Sequence, residues 1–227
     1  MTDVTLRQIV AGSPRGSWWR FLWWQMLRIP CAAWFKMFYR MRVEGREHLP
    51  RTGPLLIVSN HESFLDPVII GVACSPRPMY SLARSTLFKF PLGPMIRSLN
   101  GIPVERGAAD LASIRRCIDV LQQGSALSIF PEGTRTEDGA MKPFRGGTML
   151  LIKRAKPVIA PLAIAGSFEA WPRKRKLPHV CGRVRVRFAP PVAAQSLIEM
   201  GEEAALQSLR GTIQGMRDEM RAEMVSM

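Results

Sequence analysis

Apolar residues recur along this chain in several distinct patterns, and where the pattern changes the chain divides into an arm, a central unit and a tail. After Gly45, short unbroken apolar runs alternate with amphipathic stretches. Pro54-Leu-Leu-Ile-Val-Ser59 and Ala126-Leu-Ser-Ile-Phe130 carry no charge and suit strands buried on both faces. Met79 to Ala83, Ile102 to Val104 and Val158 to Ala163 read the same way. Between them, Pro67 to Cys74, Ala108 to Gln123 and Thr148 to Ala155 read as helices. The second of these lines up Leu111, Ile114, Ile118 and Leu121 on one side and meets Gly124 as a stop. Leu87 to Leu99 is apolar but cut by Pro91, Gly93 and Pro94. Arg183 to Phe188 alternates with period two, which predicts a half-exposed strand with a basic face. From Gln195 onward, Leu206, Leu209, Ile213, Met216 and Met220 recur at spacings of three and four, the pattern of an amphipathic helix packed on the domain. Strands alternating with helices predict a single α/β domain, its sheet largely parallel or mixed and flanked by helices.

Residues 17–42 follow no such alternation. They hold five of the six tryptophans, interrupted by Arg20, Arg28, Lys36, Arg40 and Arg42. No 18-residue uncharged stretch exists, so a transmembrane helix is not expected. Pro30 is expected to break the segment into two short helices. Tryptophan rings settle at the headgroup level and basic stems snorkel towards lipid phosphates, which predicts a membrane arm lying in one leaflet. The expected division is an arm over 1–44, the α/β domain over 45–194 and the C-terminal helix over 195–227.

Composition sharpens the question of partners. Thirty-two Lys and Arg against 18 Asp and Glu give a formal charge of +14. Such a balance suits an anionic partner: nucleic acid, an acidic membrane surface or a phosphorylated substrate. The cysteines, Cys31, Cys74, Cys117 and Cys181, lie far apart with no metal-ligand spacing and no adjacent His pair. They read as reduced, mostly buried thiols, and no metal site is expected. Residues 1–16 carry Asp3, Arg7 and Arg15 and no early apolar run, so no secretory signal is expected.

Candidate chemistry clusters where strands end, the place α/β folds offer to ligands. In Asn60-His61-Glu62-Ser63-Phe64-Leu65-Asp66-Pro67, Pro67 suits a first helical position, which makes Asp66 a good N-cap. His61 precedes it in a loop able to fold back on the carboxylate. A carboxylate on one ring nitrogen fixes the tautomer and leaves the other free to take a proton from a hydroxyl. Read alone, the same residues fit a plain helix cap beside a loop histidine. Phe130-Pro-Glu-Gly-Thr-Arg135 offers a tight turn at Gly133, donors around Thr134 and a guanidinium fork at Arg135 suited to phosphate. Gly101-Ile-Pro-Val-Glu-Arg106 puts another guanidinium after a short strand, and Arg84 and Lys142 are further cations.

Together these segments resemble the glycerolipid acyltransferase family. Asn60-His61 with Ser63 and Asp66 resembles its His-x4-Asp motif, Gly101–Arg106 its second motif, Phe130–Arg135 its third, and Val158-Ile-Ala-Pro-Leu-Ala163 its fourth, in the family's order. The likeness is nearest to the 1-acyl-sn-glycerol-3-phosphate acyltransferases. It implies that His61 is the general base and that Asp66 orients it. It implies that Arg106, Glu132, Gly133, Thr134 and Arg135 hold the acceptor's phosphate end. Arg84 stands where such enzymes often have a lysine.

The activity that the resemblance implies is transfer of a fatty acyl group from acyl-CoA or acyl carrier protein to the free hydroxyl of 1-acyl-sn-glycerol 3-phosphate, giving phosphatidic acid in phospholipid biosynthesis. These donors are co-substrates, and no cofactor is expected. An acceptor such as glycerol 3-phosphate or another lysolipid is the alternative within the fold. Membrane lipids are expected partners, at the cytoplasmic face of the inner membrane. The basic strand face and Arg173-Lys-Arg-Lys176 are read either as headgroup contacts or as solvated charge. No Gly-x-Ser-x-Gly elbow is present, which disfavours a serine hydrolase. A nucleic-acid-binding protein would fit the charge but leaves the tryptophan arm and the four motifs unexplained, so no nucleic-acid partner is expected.

Overall fold

The computed structural model describes residues 18–74, 76–105 and 110–226. In chain order the elements are α1 (Trp18–Phe38), β1 (Arg42–Glu44), β2 (Leu55–Ser59), α2 (Asp66–Ala73), β3 (Met79–Arg84), α3 (Leu92–Ser98), β4 (Gly101–Val104), α4 (Leu111–Gln122), β5 (Ala126–Ile129), α5 (Gly147–Ala155), β6 (Val158–Ala165), α6 (Ser167–Ala170), β7 (Arg185–Phe188), β8 (Val192–Ala193), α7 (Ala194–Glu199) and α8 (Glu202–Val225). The strands form one sheet in the order β1-β7-β6-β2-β5-β3-β4, and β8 pairs with the start of β6. Every pairing is parallel except those of β6 with β7 and β8.

The continuous apolar strands run through the middle of this sheet because each of their faces is covered. Leu56 and Val58 of β2 join a core built with α4, α5, α7 and α8, while Leu55 and Ile57 join another built with α1 and α2. All five residues of β2 are buried. Each such apolar side chain contributes about 1.5–3 kcal/mol on removal from water. The Asp110 carboxylate accepts the Ser113 N–H at 3.0 Å and starts α4. The tail bends at Gly201, whose φ of 81° divides it into α7 and α8.

Three expectations need correction. Pro30 does not split the arm: α1 runs through it without a break. Proline removes one backbone donor, but Phe21 and Trp24 before it and Phe35 after it are all buried, so packing on both sides holds the helix together. The border at 44/45 cuts through the sheet, because β1 pairs with β7 and is an integral edge strand. The basic face of the 183–188 segment is not a solvated sheet edge. Strand β7 lies between β6 and β1, and Arg185 is buried. Arg187 is held by Glu44, Glu219 and Glu223 at 2.7, 3.0 and 2.8 Å, the last two presented by α8.

The rest of α1 divides its aromatic residues as its amphipathic position demands. Trp18, Trp19, Leu22, Trp23, Met26, Ile29, Trp34 and Met37 remain exposed, Trp19 by 82%. No described helix is long and apolar enough to cross a membrane.

Candidate active site

The candidate residues gather at the carboxyl ends of β2, β5 and β3, which are neighbours in the sheet. The Asn60 side chain sets the exit of β2. Its amide donates to the Ile164 carbonyl at 2.9 Å and its oxygen accepts the Ile164 N–H at 2.8 Å, so the side chain extends the pairing to β6 by one step. The next residue, His61, is thereby delivered to the strand end.

The loop then turns back on itself. His61 Nδ1 lies 2.8 Å from Asp66 Oδ2. The same oxygen accepts the backbone N–H groups of Glu62 and Ser63, each at 2.7 Å. Asp66 is the first residue of α2 and Leu65 takes the N-cap place expected for it; the Asp66 carboxylate points into the preceding loop instead of capping its own helix. It is completely buried, while the His61 side chain keeps 18% exposure. The imidazole stacks on Phe130 at 3.9 Å between centroids and 15° between planes. A ring fixed by a carboxylate at Nδ1 and by an aromatic face keeps Nε2 as its remaining proton acceptor.

The turn after β5 meets this loop directly. The Thr136 N–H donates to the His61 carbonyl at 3.0 Å. Glu132 accepts the His61 N–H at 2.7 Å with one oxygen and the Lys142 N–H at 2.9 Å with the other. Burial pushes its carboxyl above the ordinary range, opposed by those two N–H bonds. Glu132 is thus a brace between two loops, and its occupied, buried carboxylate is not aimed at a phosphate. Gly133 has a φ of 70°, and a Cβ there would fall 2.8 Å from the Arg145 guanidinium carbon. Only glycine allows both the left-handed turn and that approach.

Cations surround the turn. The Arg135 guanidinium stacks over the Phe64 ring at 3.3 Å. Arg173 Nη1 reaches Glu137 at 2.7 Å and the Thr134 hydroxyl at 3.4 Å, so this member of the 173–176 run faces the site. Lys142 Nζ approaches the Arg135 carbonyl at 3.5 Å. Arg84 ends β3, exposed, two strands from β2, or about 10 Å by strand spacing. Arg106 lies outside the described residues. Among the described residues no group of acidic, His and Cys side chains could hold a metal ion.

Sequence reasoning missed the contribution of the tail. Glu62 is buried beside the His61–Asp66 pair and is met by two arginines of α8. Arg217 Nη1 lies 3.3 Å from its Oε1 and Arg221 Nη2 lies 3.2 Å from its Oε2. The signal was present: Arg217 follows Leu209 and Ile213 at intervals of four, in a row otherwise made of buried residues.

Comparison with known proteins identifies the fold and the family. The fold matches the crystal structure of a 1-acyl-sn-glycerophosphate (LPA) acyltransferase from Thermotoga maritima with a TM-score of 0.75, covering 88% of this chain and 81% of that one at 23% identity. A mixed, parallel-dominated α/β sheet of that type is therefore the class of fold. A family model described as Acyltransferase matches residues 40–165, and the chain belongs to that family. It is 30% identical over 180 residues to the 1-acyl-sn-glycerol-3-phosphate acyltransferase alpha of Mus musculus, covering 77% of this chain and 63% of the mouse protein. It is 29% identical over 161 residues to the chloroplastic 1-acyl-sn-glycerol-3-phosphate acyltransferase of Arabidopsis thaliana, covering 68% of this chain and 44% of the plant protein. The Bacillus subtilis enzyme of the same name is 28% identical over 141 residues, 60% of this chain and 70% of its own. The chain spans about half the length of the plant and algal relatives it matches.

Proposed function

We propose that the protein transfers a fatty acyl group from acyl-CoA or acyl carrier protein to the free hydroxyl of 1-acyl-sn-glycerol 3-phosphate, forming phosphatidic acid. The observation that carries this reading is the His61–Asp66 pair, 2.8 Å apart and stacked on Phe130, beside a turn ringed by cations. His61 Nε2 takes the proton of the acceptor hydroxyl as its oxygen attacks the thioester carbonyl. Asp66 holds the ring and stabilises the imidazolium so formed. The tetrahedral intermediate collapses, the carbon–sulfur bond breaks, and the thiolate leaves with the proton returned by His61. Thr134, Arg135 and Arg106, with Arg84 further along the strand ends, supply positive charge and donors for the acceptor's phosphate. The acyl thioester is a co-substrate, and this chemistry needs no further cofactor.

A lipid acceptor and a fatty donor favour a site at a membrane surface. The exposed apolar side of α1, with Trp19 and Met37 prominent, supports an arm resting in one leaflet. Under this reading the enzyme works on the cytoplasmic face of the inner membrane. The test is mass-spectrometric acyl transfer in detergent or liposomes, with acyl-CoA and acyl carrier protein as donors. Lysophosphatidate, glycerol 3-phosphate and a neutral lysolipid serve as acceptors. Phosphatidate formation that His61→Ala abolishes supports the reading. Activity on another acceptor alone overturns the substrate, and a fully active His61→Ala overturns the mechanism.

A further inference from the structure

The segment that leaves β6 adds to the site from outside the four motifs. Strand β6 is the parallel neighbour of β2, so its carboxyl end opens beside the His61 loop. Gly166 turns the chain there with a φ of 84°, at a point where a Cβ would strike the Arg183 carbonyl oxygen. After the short α6, Trp171 fastens the segment to the His61 loop. Its carbonyl accepts the Ser63 hydroxyl at 3.0 Å, and its ring meets Phe64 at 5.1 Å between centroids. The indole N–H donates to the Arg175 carbonyl at 2.9 Å, and the His179 N–H donates to the Ala170 carbonyl at 2.8 Å. These bonds hold residues 171–175 as a compact turn with Arg173 in its middle.

Arg173 reaches from that turn to the residues that follow β5. Its Nη1 lies 3.4 Å from the Thr134 hydroxyl, 3.4 Å from the Arg135 carbonyl and 2.7 Å from Glu137 Oε1. Glu137 therefore balances its charge but occupies Nη1 alone. Among the described residues, Nε and Nη2 of Arg173 make no hydrogen bond. Those two N–H groups form the parallel edge of a guanidinium, whose spacing matches two oxygens of one phosphate. The Arg173 side chain is 30% exposed and that of Glu137 is 55% exposed, so the pair is solvated and weak, and a substrate anion can compete with it.

The place of this fork fits the acceptor. Phe64 is shared between Trp171, which packs against it, and Arg135, which stacks over it at 3.3 Å. Two guanidinium groups thus approach the Thr134 turn, one within the third motif and one from outside it. The same turn is joined to the His61 loop by the bond from the Thr136 N–H to the His61 carbonyl. In a lysolipid the glycerol unit puts the phosphate only a few bonds from the reacting hydroxyl. Groups that bind that phosphate must therefore lie close to His61, as this turn does.

We infer that Arg173 is a specificity-determining residue of the acceptor site, a fork for the lysolipid's phosphate supplied by the segment after β6; this rests on the acceptor proposed above. Arg173 selects acceptors that carry a phosphate against neutral lipids with the same glycerol and acyl groups.

The test measures initial rates of the full chain in detergent, with lysophosphatidate, glycerol 3-phosphate and monoacylglycerol as acceptors. Arg173→Gln is compared with Lys174→Gln, which removes the same charge one residue away. Glu137→Gln removes the carboxylate and leaves the fork, and Arg173→Lys keeps the charge and loses the fork. Circular dichroism and Tm verify that each variant is folded. Arg173→Gln is expected to raise KM for the phosphorylated acceptor about tenfold or more, with kcat within about threefold of wild type. Any turnover of monoacylglycerol stays unchanged, so the preference for a phosphate falls by the same factor. Arg173→Lys falls between, and Lys174→Gln and Glu137→Gln keep the wild-type KM. An unchanged KM in Arg173→Gln overturns the inference, as does an equal rise in Lys174→Gln. An equal rise in Glu137→Gln also overturns it, because Arg173 would then only brace the turn through Glu137. Failure of the underlying reading looks different: the wild type itself uses no phosphorylated acceptor, and Arg173 loses its ligand with it.

Discussion

Arg217 reaches across 155 residues of sequence to place its Nη1 3.3 Å from Glu62 Oε1, with both side chains buried. Glu62 adjoins His61 in the same loop, so the last helix grips the His61 loop from behind. Arg217 also donates to the Gly139 carbonyl at 3.1 Å and so ties the loop after β5 into the same hold. Replacing Arg217 by Met leaves a buried carboxylate with one partner fewer. The expected cost is about 3–5 kcal/mol, read from urea unfolding. A change below 1 kcal/mol would remove Arg217 from any role in holding the loop.

Glu62 gives that hold a pH dependence. Burial raises its carboxyl from 4.5 to about 7, against the opposing pull of Arg221 and Arg217. The folded state therefore binds the proton more tightly than the unfolded chain. The sign follows: the stability contributed by protonation is complete below about 4.5 and is lost as pH rises through about 7. Unfolding free energies at several pH values between 4.5 and 8 should fall along that window in the wild type. Glu62→Gln should lack that part of the slope, and identical slopes in the two proteins would show that Glu62 does not titrate there.

Asp66 accepts two backbone N–H groups as well as facing His61, so it orders the loop and the ring together. In Asp66→Asn the amide can retain some of those bonds, but it no longer stabilises an imidazolium. The expected effect is a fall in kcat of about 10²–10⁴ with a much smaller change in the acceptor KM. A variant that loses only acceptor affinity would contradict the orienting role.

Gly133 tests the turn after β5. Alanine there meets the Arg145 guanidinium at 2.8 Å and must hold a left-handed backbone. Strain of about 1–3 kcal/mol is expected, together with a raised KM for the acceptor because Thr134 and Arg135 follow directly. Unchanged kinetics would separate this turn from acceptor binding.

The thiols differ in reactivity. Burial pushes both Cys74 and Cys117 up to about 12, raises Cys31 less far, and leaves Cys181 exposed at the surface. Iodoacetamide at pH 8 should label Cys181 first and spare Cys74 and Cys117 in the folded chain. Modification of Cys181 should leave acyl transfer intact. Peptide mapping that finds Cys74 or Cys117 labelled early would mean that the core opens readily.

The parts legible in the sequence were those written in local pattern. The uncharged runs at 54–59 and 126–130 became β2 and β5 because only a strand covered on both faces can bury every residue. The His61-to-Asp66 spacing already allowed the ring to meet the carboxylate, since five residues in a loop can close on themselves. Tertiary structure decided what depends on distant partners. Pro30 stayed within a helix because the core gripped both of its flanks. Arg185 became buried because β7 came to lie between β6 and β1, and Arg187 became paired because α8 came to lie beside β7. Glu132 became a brace because two remote N–H groups met its oxygens. Glu62 acquired arginines because a helix 155 residues away packed behind its loop. A side chain's conformational preference is set by its neighbours in sequence and can be read there. Its charge partners and burial are set by neighbours in space, and those exist only once the sheet and its helices have assembled.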